Sequence, residues 1–324
     1  MGLDVWRRKA IGLGLADLAA VPAGEAATFS HYASWLASGY AGKMSYLSRY
    51  AEERRSPSSI LPNVRTLLVA VLTESQLMAT RLIPPNIEPD SPSGTIVAYA
   101  ACCDYHTILK KKLHALRSLL AEHYPGEKFR VGVDSEPLLE KEWASRAGLG
   151  TIGRNSLLIH PKYGSSIFLG FLLTTLGMEE FESGFAKKEP NTAKNPGAVN
   201  PSGDGEHTDP CLGCRRCLDV CPTGAILPDR TLDATKCLNY WTIEYHGVEI
   251  PESIREKLGH RLFGCDLCRR LCPKNAYLPP SLPSFIPLDE IRGLNGSQFA
   301  ERFADTPVER IGPARLKRNA CWIS

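Results

Sequence analysis

Apolar residues recur at three- and four-residue spacing in some stretches of the chain and form short continuous runs in others. The first pattern is typical of helices with one buried face, and the second, where Pro and Gly bound the run, is typical of buried strands. The spacing predicts helices over 1–55, 105–124 and 137–147, the last with Pro137 at its start and Gly148 after its end. The runs predict strands at 65–73, 94–101, 129–134, 156–159 and 165–174.

Strands that alternate with helices indicate an α/β domain over residues 1–176, and an α+β protein once the rest of the chain is included. The composition then changes. Residues 177–209 are rich in Gly, Pro, Asn and charged residues without periodicity, which predicts a linker or an insertion. A cysteine-rich module follows at 210–280, and we expect the tail, 281–324, to pack on the body of the protein.

Composition and charge narrow the class of protein only a little. The 324 residues carry a formal net charge of +3, which is too mild by itself to indicate a nucleic-acid partner. No apolar run approaches the roughly 20 residues that span a bilayer. The N-terminal stretch combines basic and apolar residues, but Asp4 and Asp17 interrupt it and no small-residue cleavage pattern closes it. We therefore expect a cytoplasmic protein with no membrane segment.

The cysteines are the residues whose number and spacing indicate a specific chemistry. Eight of the 11 cysteines lie within residues 211–272, a density that favours metal binding over disulfides in a chain without an export signal. The first run has the ferredoxin spacing Cys-x2-Cys-x2-Cys-x3-Cys-Pro, in which three thiolates hold one [4Fe–4S] cluster and the fourth crosses to another. Its members are Cys211, Cys214, Cys217 and Cys221.

A second run is one cysteine shorter, because Leu262 stands where the ferredoxin pattern has its first cysteine. The isolated Cys237 between the two runs is the candidate replacement. We therefore predict two [4Fe–4S] clusters, one held by Cys211, Cys214, Cys217 and Cys272 and the other by Cys221, Cys237, Cys265 and Cys268. Structural zinc, which CxxC pairs also hold, is the alternative. The remaining Cys102, Cys103 and Cys321 are predicted to be ordinary buried thiols.

Several ordered stretches of the chain resemble one enzyme family. They are Asp104-Tyr105-His106, Asp134, AGLGTIGRNS (147–156), Gly164-Ser165, CLNYWTIEYHG (237–247), GCDLCRRLCP (264–273) and TPVERIGPARLKRNA (306–320). Together they make the chain resemble the epoxyqueuosine reductases from about the first helix to the tail.

This resemblance implies a fold, a reaction and cofactors. The fold would be a nitroreductase-like cobalamin-binding domain followed by a bacterial ferredoxin-like module with two [4Fe–4S] clusters. The reaction would be the reduction of epoxyqueuosine to queuosine in tRNA, the last step of queuosine biosynthesis. Electrons would pass through the two clusters to a base-off cobalamin, and the protein would position the substrate and supply protons.

Asp134 is the catalytic residue that the resemblance implies. It lies at the carboxyl end of a predicted strand, where α/β proteins commonly display functional groups. As a general acid it would protonate the departing epoxide oxygen. The alternative role is an N-cap for the helix predicted to begin near Pro137.

The resemblance also implies a set of cofactor-binding residues: Tyr105, His106, Asp134, Arg154, Asn155, Leu158, Ser165, Leu169, Tyr240 and Asp266. A packed aromatic and a satisfied core histidine are equally good explanations for Tyr105 and His106. The glycines at 148, 150 and 153 allow either close approach to the corrin or a tight turn from helix to strand. They follow a helix rather than a strand, so a dinucleotide site is not expected.

The expected partners are tRNA carrying epoxyqueuosine at the wobble position and an electron donor such as a flavodoxin or ferredoxin, and we expect a monomer. Basic residues that could contact tRNA phosphates concentrate in the second half of the chain. They are Arg215, Arg216, Arg255, Lys257, Arg261, Arg269, Arg270, Lys274, Arg310, Arg315, Lys317 and Arg318.

Two other functions are compatible with the same motifs. A cobalamin-dependent reductive dehalogenase combines the same cofactors, although the context of Asp134 and the missing export signal argue against it. A ferredoxin-like electron carrier would explain the cysteines but leaves the α/β domain without a purpose.

Overall fold

The structure is a computed structural model that describes residues 2–86, 91–182, 209–276 and 281–323. The described residues fall into two compact units. Those within Met1–Ser38, Tyr46–Thr73 and His106–Arg215 form the first unit, and those within Gly39–Ser45, Glu74–Tyr105 and Arg216–Ser324 form the second. Most of the predicted linker lies outside the described residues, and the predicted domain boundaries stay a prediction.

The fold mixes helices and strands along the whole chain, which confirms the expected α+β class. The helices are α1 Leu3–Gly12, α2 Phe29–Ala37, α3 Ser45–Arg49, α4 Glu74–Met78, α5 Tyr105–His123, α6 Glu140–Arg146, α7 Arg216–Asp219, α8 Glu252–Leu258, α9 Leu267–Arg270, α10 Leu288–Gly293, α11 Gly296–Phe303 and α12 Gly312–Trp322, with a π-helix at Tyr240–Glu244. The strands are β1 Asp17–Pro22, β2 Thr66–Thr73, β3 Ser93–Ile96, β4 Phe129–Gly132, β5 Thr151–Ile152, β6 Leu158–Ile159, β7 Ile167–Thr174, β8 Arg261–Phe263 and β9 Ser284–Pro287.

The first unit is built on a four-stranded sheet in the order β1-β2-β7-β4, with antiparallel pairing throughout. All eight residues of β2 are buried, as a central strand with both faces covered requires. The predictions for β2 and β7 are confirmed to within two residues. The helix predicted over 1–55 is wrong at β1, where pairing with β2 overrides the helix propensity of Leu and Ala.

Helix α5 covers one face of this sheet. Its buried leucines, Leu109, Leu113, Leu116 and Leu120, recur at helical spacing, and the predicted helix is confirmed. A Cβ added at Gly170 of β7 would lie 2.7 Å from Leu113 Cδ1, so α5 lies very close to the sheet. This packing fixes the position of His106, in the first turn of α5.

The second unit contains a three-stranded sheet in the order β8-β3-β9. Strand β3 pairs in parallel with β8 and antiparallel with β9, so residues from three distant parts of the sequence form one sheet. The strand predicted over 94–101 is too long, because Ala98–Ala101 forms a 3-10 helix. That segment is mostly alanine and lacks the β-branched residues that favour strands.

Helix α6 begins at Glu140, three residues later than predicted. Pro137 therefore lies in the loop between β4 and α6 rather than at a helix start. The N-cap position belongs to Leu139, whose backbone has φ −85° and ψ 70° and whose side chain makes no capping hydrogen bond. The difference matters because it places Glu140 at the first position of the helix. Among the described helices, none is both long and apolar enough to span a membrane.

Candidate active site and cluster ligands

Asp134 lies two residues beyond the end of β4, at the start of the loop that leads to α6. Its backbone is left-handed, with φ at +53°, which is uncommon for a residue other than glycine. Its side chain is 56% exposed, and its Oδ2 lies 3.1 Å from Nε2 of the buried His106. Its backbone N–H donates to Oε1 of Glu140 at 2.9 Å. The carboxyl group is thus accessible to a ligand while two neighbouring side chains hold its position.

The alternative role of Asp134 as a helix N-cap is wrong. Helix α6 starts six residues after Asp134, and the N-cap residue of α6 is Leu139. The Asp134 side chain therefore has no helix N-terminus to cap, and its carboxyl faces His106 instead. His106 is buried and bonded to Asp134, as expected of a satisfied core histidine, and its role in cofactor binding stays a prediction.

Glu140 is a functional candidate that sequence reasoning missed. Burial against surrounding protein atoms, followed by the negative charge of Asp134, raises the pKa of the Glu140 carboxyl to about 8, although part of its surface stays accessible. The hydrogen bond from the Asp134 backbone N–H, followed by the charges of Lys141 and His106, lowers the Glu140 pKa but does not compensate. A glutamate in the first turn of a helix is normally explained by the helix dipole, which conceals such a role. The structure thus places beside Asp134 a carboxyl group whose raised pKa favours its protonated form near neutral pH.

The glycine-rich turn after α6 is explained by the chain's own packing. Gly148 has φ +80° just after the helix, where glycine is favoured. A Cβ at Gly150 would lie 2.3 Å from the carbonyl oxygen of Ile159, and one at Gly153 would lie 2.5 Å from Cδ1 of the same residue. Strands β5 and β6 pair here, which brings the two segments together. The tight-turn explanation therefore accounts for these glycines.

We expect Gly150→Ala to lower the free energy of unfolding by about 1–3 kcal/mol, the usual cost of overpacking a closely packed position. The clash is with backbone atoms of Ile159, which cannot rotate away as a side chain can. Urea unfolding of the wild type and the variant measures the difference. Gly24→Ala is the matched control, because no atom lies within 4 Å of its added Cβ. A Gly150→Ala protein as stable as the wild type would contradict this explanation.

Arg154 connects the glycine-rich turn to the cysteine framework within the first unit. Its backbone N–H donates to Sγ of Cys211 at 3.3 Å, and its Nη2 donates to Asp209 at 3.1 Å. Its Nε is buried and has no acceptor among the described residues. Hydrogen bonds to the sulfur of a cluster ligand are one of the means by which proteins tune a cluster.

The other candidates of the first unit are largely interior. Asn155 and Ser165 are each 5% exposed, and Asn155 Oδ1 accepts the N–H of Leu157 at 3.3 Å. Leu158 belongs to the apolar core, and Leu169 packs against it. Thus the two polar candidates are buried, and the two apolar candidates belong to the core or pack against it.

Three candidates lie in the second unit. Tyr105 packs against Tyr99, with ring centroids 6.3 Å apart. Tyr240 is buried in the π-helix, and its hydroxyl accepts the backbone N–H of Lys43 at 3.0 Å. Asp266 pairs with Arg269 at 3.1 Å, and burial raises the pKa of its carboxyl.

Five of the predicted cluster ligands lie near one another within the second unit and influence one another's pKa. Burial is the main cause that raises the pKa of the Cys268 thiol to about 12, and the nearby thiols of Cys265, Cys237, Cys221 and Cys217 raise it further. Burial followed by Cys265 and Cys221 raises the pKa of Cys237 to about 11. Thiols gathered in this way are ionised when they bind iron, which fits a cluster site.

No three His, Cys, Asp or Glu side chains in the described parts of the chain are spaced to hold a single metal ion. This spacing does not count against a [4Fe–4S] cluster, because each of its four thiolates binds a different iron atom.

Polar side chains that sequence reasoning missed hold the backbone around these cysteines. Asn239 Oδ1 accepts the N–H of Cys265 at 2.6 Å. Thr242 Oγ1 accepts the N–H of Gly264 at 3.1 Å, next to the same cysteine. The buried Glu74 pairs with Arg269 of α9, the helix that carries Cys268. No spacing rule finds such contacts, because each partner is distant in sequence.

Two of the arginines considered for tRNA have another role. The guanidinium of Arg318 donates to the carbonyls of Tyr245, Gly247 and Trp241, and that of Arg315 donates to the carbonyl of Ile243. Both side chains therefore satisfy backbone acceptors in and just after the π-helix. Asn319 adds bonds to the carbonyls of Thr242 and Leu262. This part of α12 supports the stretch that carries Cys237 and Tyr240.

Comparisons with protein families agree with this arrangement. The family described as "Epoxyqueuosine reductase QueG, DUF1730" matches residues 54–135, and the family described as "4Fe-4S double cluster binding domain" matches residues 210–275. The first match ends just after Asp134, and the second spans all eight cysteines of the two runs.

Similar proteins cover nearly the whole chain. The epoxyqueuosine reductase of Gloeobacter violaceus is 32% identical over 97% of this chain and 92% of its own length. That of Pseudomonas aeruginosa is 34% identical over 90% of this chain and 76% of its own length. Among solved structures, epoxyqueuosine reductase from Streptococcus thermophilus has a TM-score of 0.77 at 24% identity, covering 99% of this chain and 80% of that one. An epoxyqueuosine reductase with an epoxyqueuosine-modified tRNA stem loop also has a TM-score of 0.77 at 24% identity, covering 98% and 80%.

Proposed function

This chain belongs to the epoxyqueuosine reductase family, and we propose on that premise that it reduces epoxyqueuosine to queuosine in tRNA with Asp134 as the proton donor. The chain is an oxidoreductase of this family and contains a domain that binds two [4Fe–4S] clusters. The observation that carries the finer proposal is the geometry of Asp134, which is accessible, held by His106 and next to a second carboxyl group.

The reaction sets requirements that the protein has to meet. Converting an epoxide to an alkene breaks two C–O bonds, consumes two electrons and two protons, and releases the oxygen as water. Each departing oxygen needs a proton, because an alkoxide or hydroxide is a poor leaving group. A carboxylic acid within hydrogen-bond reach of that oxygen supplies typically 10²–10⁴-fold of rate.

Asp134 meets this requirement best among the described residues of the first unit. More than half of its side chain is exposed, so a substrate oxygen can reach the carboxyl. The bond between its N–H and Glu140 holds the left-handed backbone, and His106 Nε2 orients Oδ2. A general acid has to be accessible to the substrate and held in a fixed orientation, and the Asp134 carboxyl group meets both conditions.

For the two clusters we propose the ligand sets predicted from the spacing. Cys221, Cys237, Cys265 and Cys268 hold one cluster, which their mutual electrostatic influence supports. Cys211, Cys214, Cys217 and Cys272 hold the other, an assignment that rests on the ferredoxin spacing. The N–H of Arg154 donates to Cys211, so the chain already supplies one hydrogen bond to a ligand sulfur.

Cobalamin is the cofactor that the family resemblance adds, and the residues of this chain fit it. The buried Nε of Arg154 needs an acceptor, and the amide-rich edge of a corrin offers carbonyl oxygens. We propose that Arg154, Asn155, Ser165, His106 and Asp134, all of the first unit, hold the cofactor. The roles of Tyr105, Tyr240 and Asp266 in binding it stay predictions. Bound cobalamin would supply a low-valent metal centre able to break carbon–oxygen bonds, with electrons arriving from the clusters.

The tRNA and an electron donor such as a flavodoxin or ferredoxin are the proposed partners. A solved relative holds an epoxyqueuosine-modified tRNA stem loop, which supports the same substrate here. Arg315 and Arg318 are removed from the candidates for phosphate contact, because their guanidinium groups bind backbone carbonyls. The exposed Arg255, Lys257 and Lys274 remain candidates.

Anaerobic incubation of the purified chain with cobalamin, dithionite and epoxyqueuosine-containing tRNA tests the proposal. We expect nucleoside mass analysis to show that epoxyqueuosine loses one oxygen atom, and that omitting dithionite prevents the change. Unchanged epoxyqueuosine from protein that carries both clusters and cobalamin would contradict the proposed function. Halide release from an organohalide by the same preparation would instead favour the dehalogenase alternative.

A further inference from the structure

Epoxide reduction needs two protons, and one aspartic acid holds one. If Asp134 protonates the first departing oxygen, it is left as a carboxylate when the second C–O bond must break. A second proton must then reach it before turnover can finish. This requirement follows from the balance of the reaction, so a group near Asp134 has to supply the second proton.

The described residues that face Asp134 form a compact acid–base group in the first unit. His106, from α5, contacts the Asp134 carboxyl, and Glu140, from α6, accepts the Asp134 N–H. Lys141, next on α6, donates its Nζ to the carbonyl of Ser156. Glu136, in the same loop, points elsewhere and pairs with Arg130 at 3.0 Å. Glu140 is thus the second carboxyl group of the set.

The electrostatics of this group favour a stored proton. Burial is the larger cause that raises the pKa of Glu140 to about 8, and the negative charge that Asp134 carries once it has given up its proton is the next. The two carboxyl groups influence each other, because ionising both of two interacting carboxyl groups is unfavourable. When Asp134 gives up its proton, its new negative charge strengthens the tendency of the pair to take up another.

We propose that Glu140 is the proton reserve of this active site, which returns a proton to Asp134 between the two C–O bond cleavages. The inference rests on the proposed function. First, Asp134 gives its proton to the epoxide oxygen as one C–O bond breaks, which leaves a hydroxyl group on the substrate. The Glu140 proton then passes to the Asp134 carboxylate, and Asp134 protonates that hydroxyl, which leaves as water while the alkene forms. A low-potential one-electron reductant supplies the two electrons, and two protons from solvent then restore the acid forms of Asp134 and Glu140.

Glu140→Gln tests this role while keeping the structural contact. The glutamine carbonyl can still accept the Asp134 N–H, but the side chain has no proton to give. We expect turnover of epoxyqueuosine-tRNA to fall by about tenfold to a hundredfold at pH 7, within the range of general acid–base effects. Glu136→Gln is the matched control, since it removes a nearby carboxyl that pairs with Arg130, and it should keep the wild-type rate.

The pH dependence separates a proton reserve from a structural role. Glu140 acts only when protonated, so the wild-type rate should fall as the pH rises through about 8, and this fall should be absent in Glu140→Gln. Carbon-13 NMR of glutamate-labelled protein, without substrate, should show one carboxyl that titrates near pH 8 in the wild type and not in the variant.

A variant with the wild-type rate, or with a lower rate but the same fall near pH 8, would overturn the inference. So would a Glu140 carboxyl that is already ionised at pH 6. A wild-type protein with no turnover at all contradicts the proposed function instead, so the two failures are distinguishable.

Discussion

Asp134→Asn should lower the rate of epoxyqueuosine reduction by about 10²–10⁴-fold, the usual contribution of a general acid. Asparagine has nearly the same shape and tolerates the left-handed backbone of Asp134, so the loop should keep its structure. It cannot release a proton to the departing oxygen. We therefore expect bound cobalamin and both clusters to remain, as read from the visible spectrum, while nucleoside mass analysis shows almost no queuosine.

The matched control for this experiment is Asp305→Asn. Asp305 is an exposed aspartate in the second unit with φ at +59°, so the same substitution is made in the same backbone conformation. Its rate should equal that of the wild type. Near-normal activity of Asp134→Asn would contradict the acid role, and loss of cobalamin from that variant would show that Asp134 serves binding instead.

Cys237→Ala should remove one cluster and leave the other. Cys237 lies outside both cysteine runs, and its thiol is influenced by Cys265 and Cys221, the thiols expected to complete the same site. A [4Fe–4S] cluster held by three thiolates is easily lost, so we expect iron to fall from about eight to about four atoms per chain. Turnover should fall below detection, because the electron path is interrupted. Iron analysis and the visible spectrum of anaerobically purified protein measure the change.

Cys321→Ala provides the comparison, since Cys321 lies on α12 outside the cluster pattern. Cys321 is exposed, so the prediction that it is a buried thiol is wrong. This variant should keep the full iron content and rate. Full iron in Cys237→Ala would show that another residue completes the site. Loss of all iron would show that the two clusters do not assemble independently.

The cysteine framework could be predicted because its information is local. Chelation of one cube by three thiolates depends on two-residue gaps, which can be counted along the chain. Even the departure at Leu262, which is fully buried in β8, could be seen as a missing ligand. The spacing could not predict that Asn239 and Glu74 support the backbone around the cysteines, because these contacts join residues distant in sequence.

Asp134 and Glu140 differ in how far the sequence identifies them. The first was found because it ends a strand and belongs to a family signature. The second was missed because a glutamate near a helix start has an ordinary explanation in the helix dipole. Its raised pKa depends on burial and on the Asp134 charge, and neither can be known before α6 is placed at Glu140 rather than at Pro137.

The glycine-rich turn and the C-terminal arginines show that a sequence pattern can have a structural explanation that only the fold reveals. Gly150 is needed because Ile159 passes within contact distance, a consequence of β5 pairing with β6. Arg315 and Arg318 looked like a basic surface, yet they serve as donors to carbonyls of the π-helix region. The acceptors that a charged side chain contacts cannot be identified until the fold that brings them together is known.

The interleaving of the two units limits how this enzyme can be taken apart. The chain passes from one unit to the other at residues 38–39, 45–46, 73–74, 105–106 and 215–216. Strand β8, just before Cys265, depends on β3 for its pairing, and α9 depends on Glu74 for its ion pair. The cysteine-rich portion is therefore not an independent domain. Residues 210–275 alone would lack β3, which pairs with β8, and Glu74, which pairs with Arg269. Gene fusion or shuffling could exchange this portion only together with the upstream segment Glu74–Tyr105, which belongs to the same unit. The cysteine-rich portion and this distant segment therefore have to be inherited together.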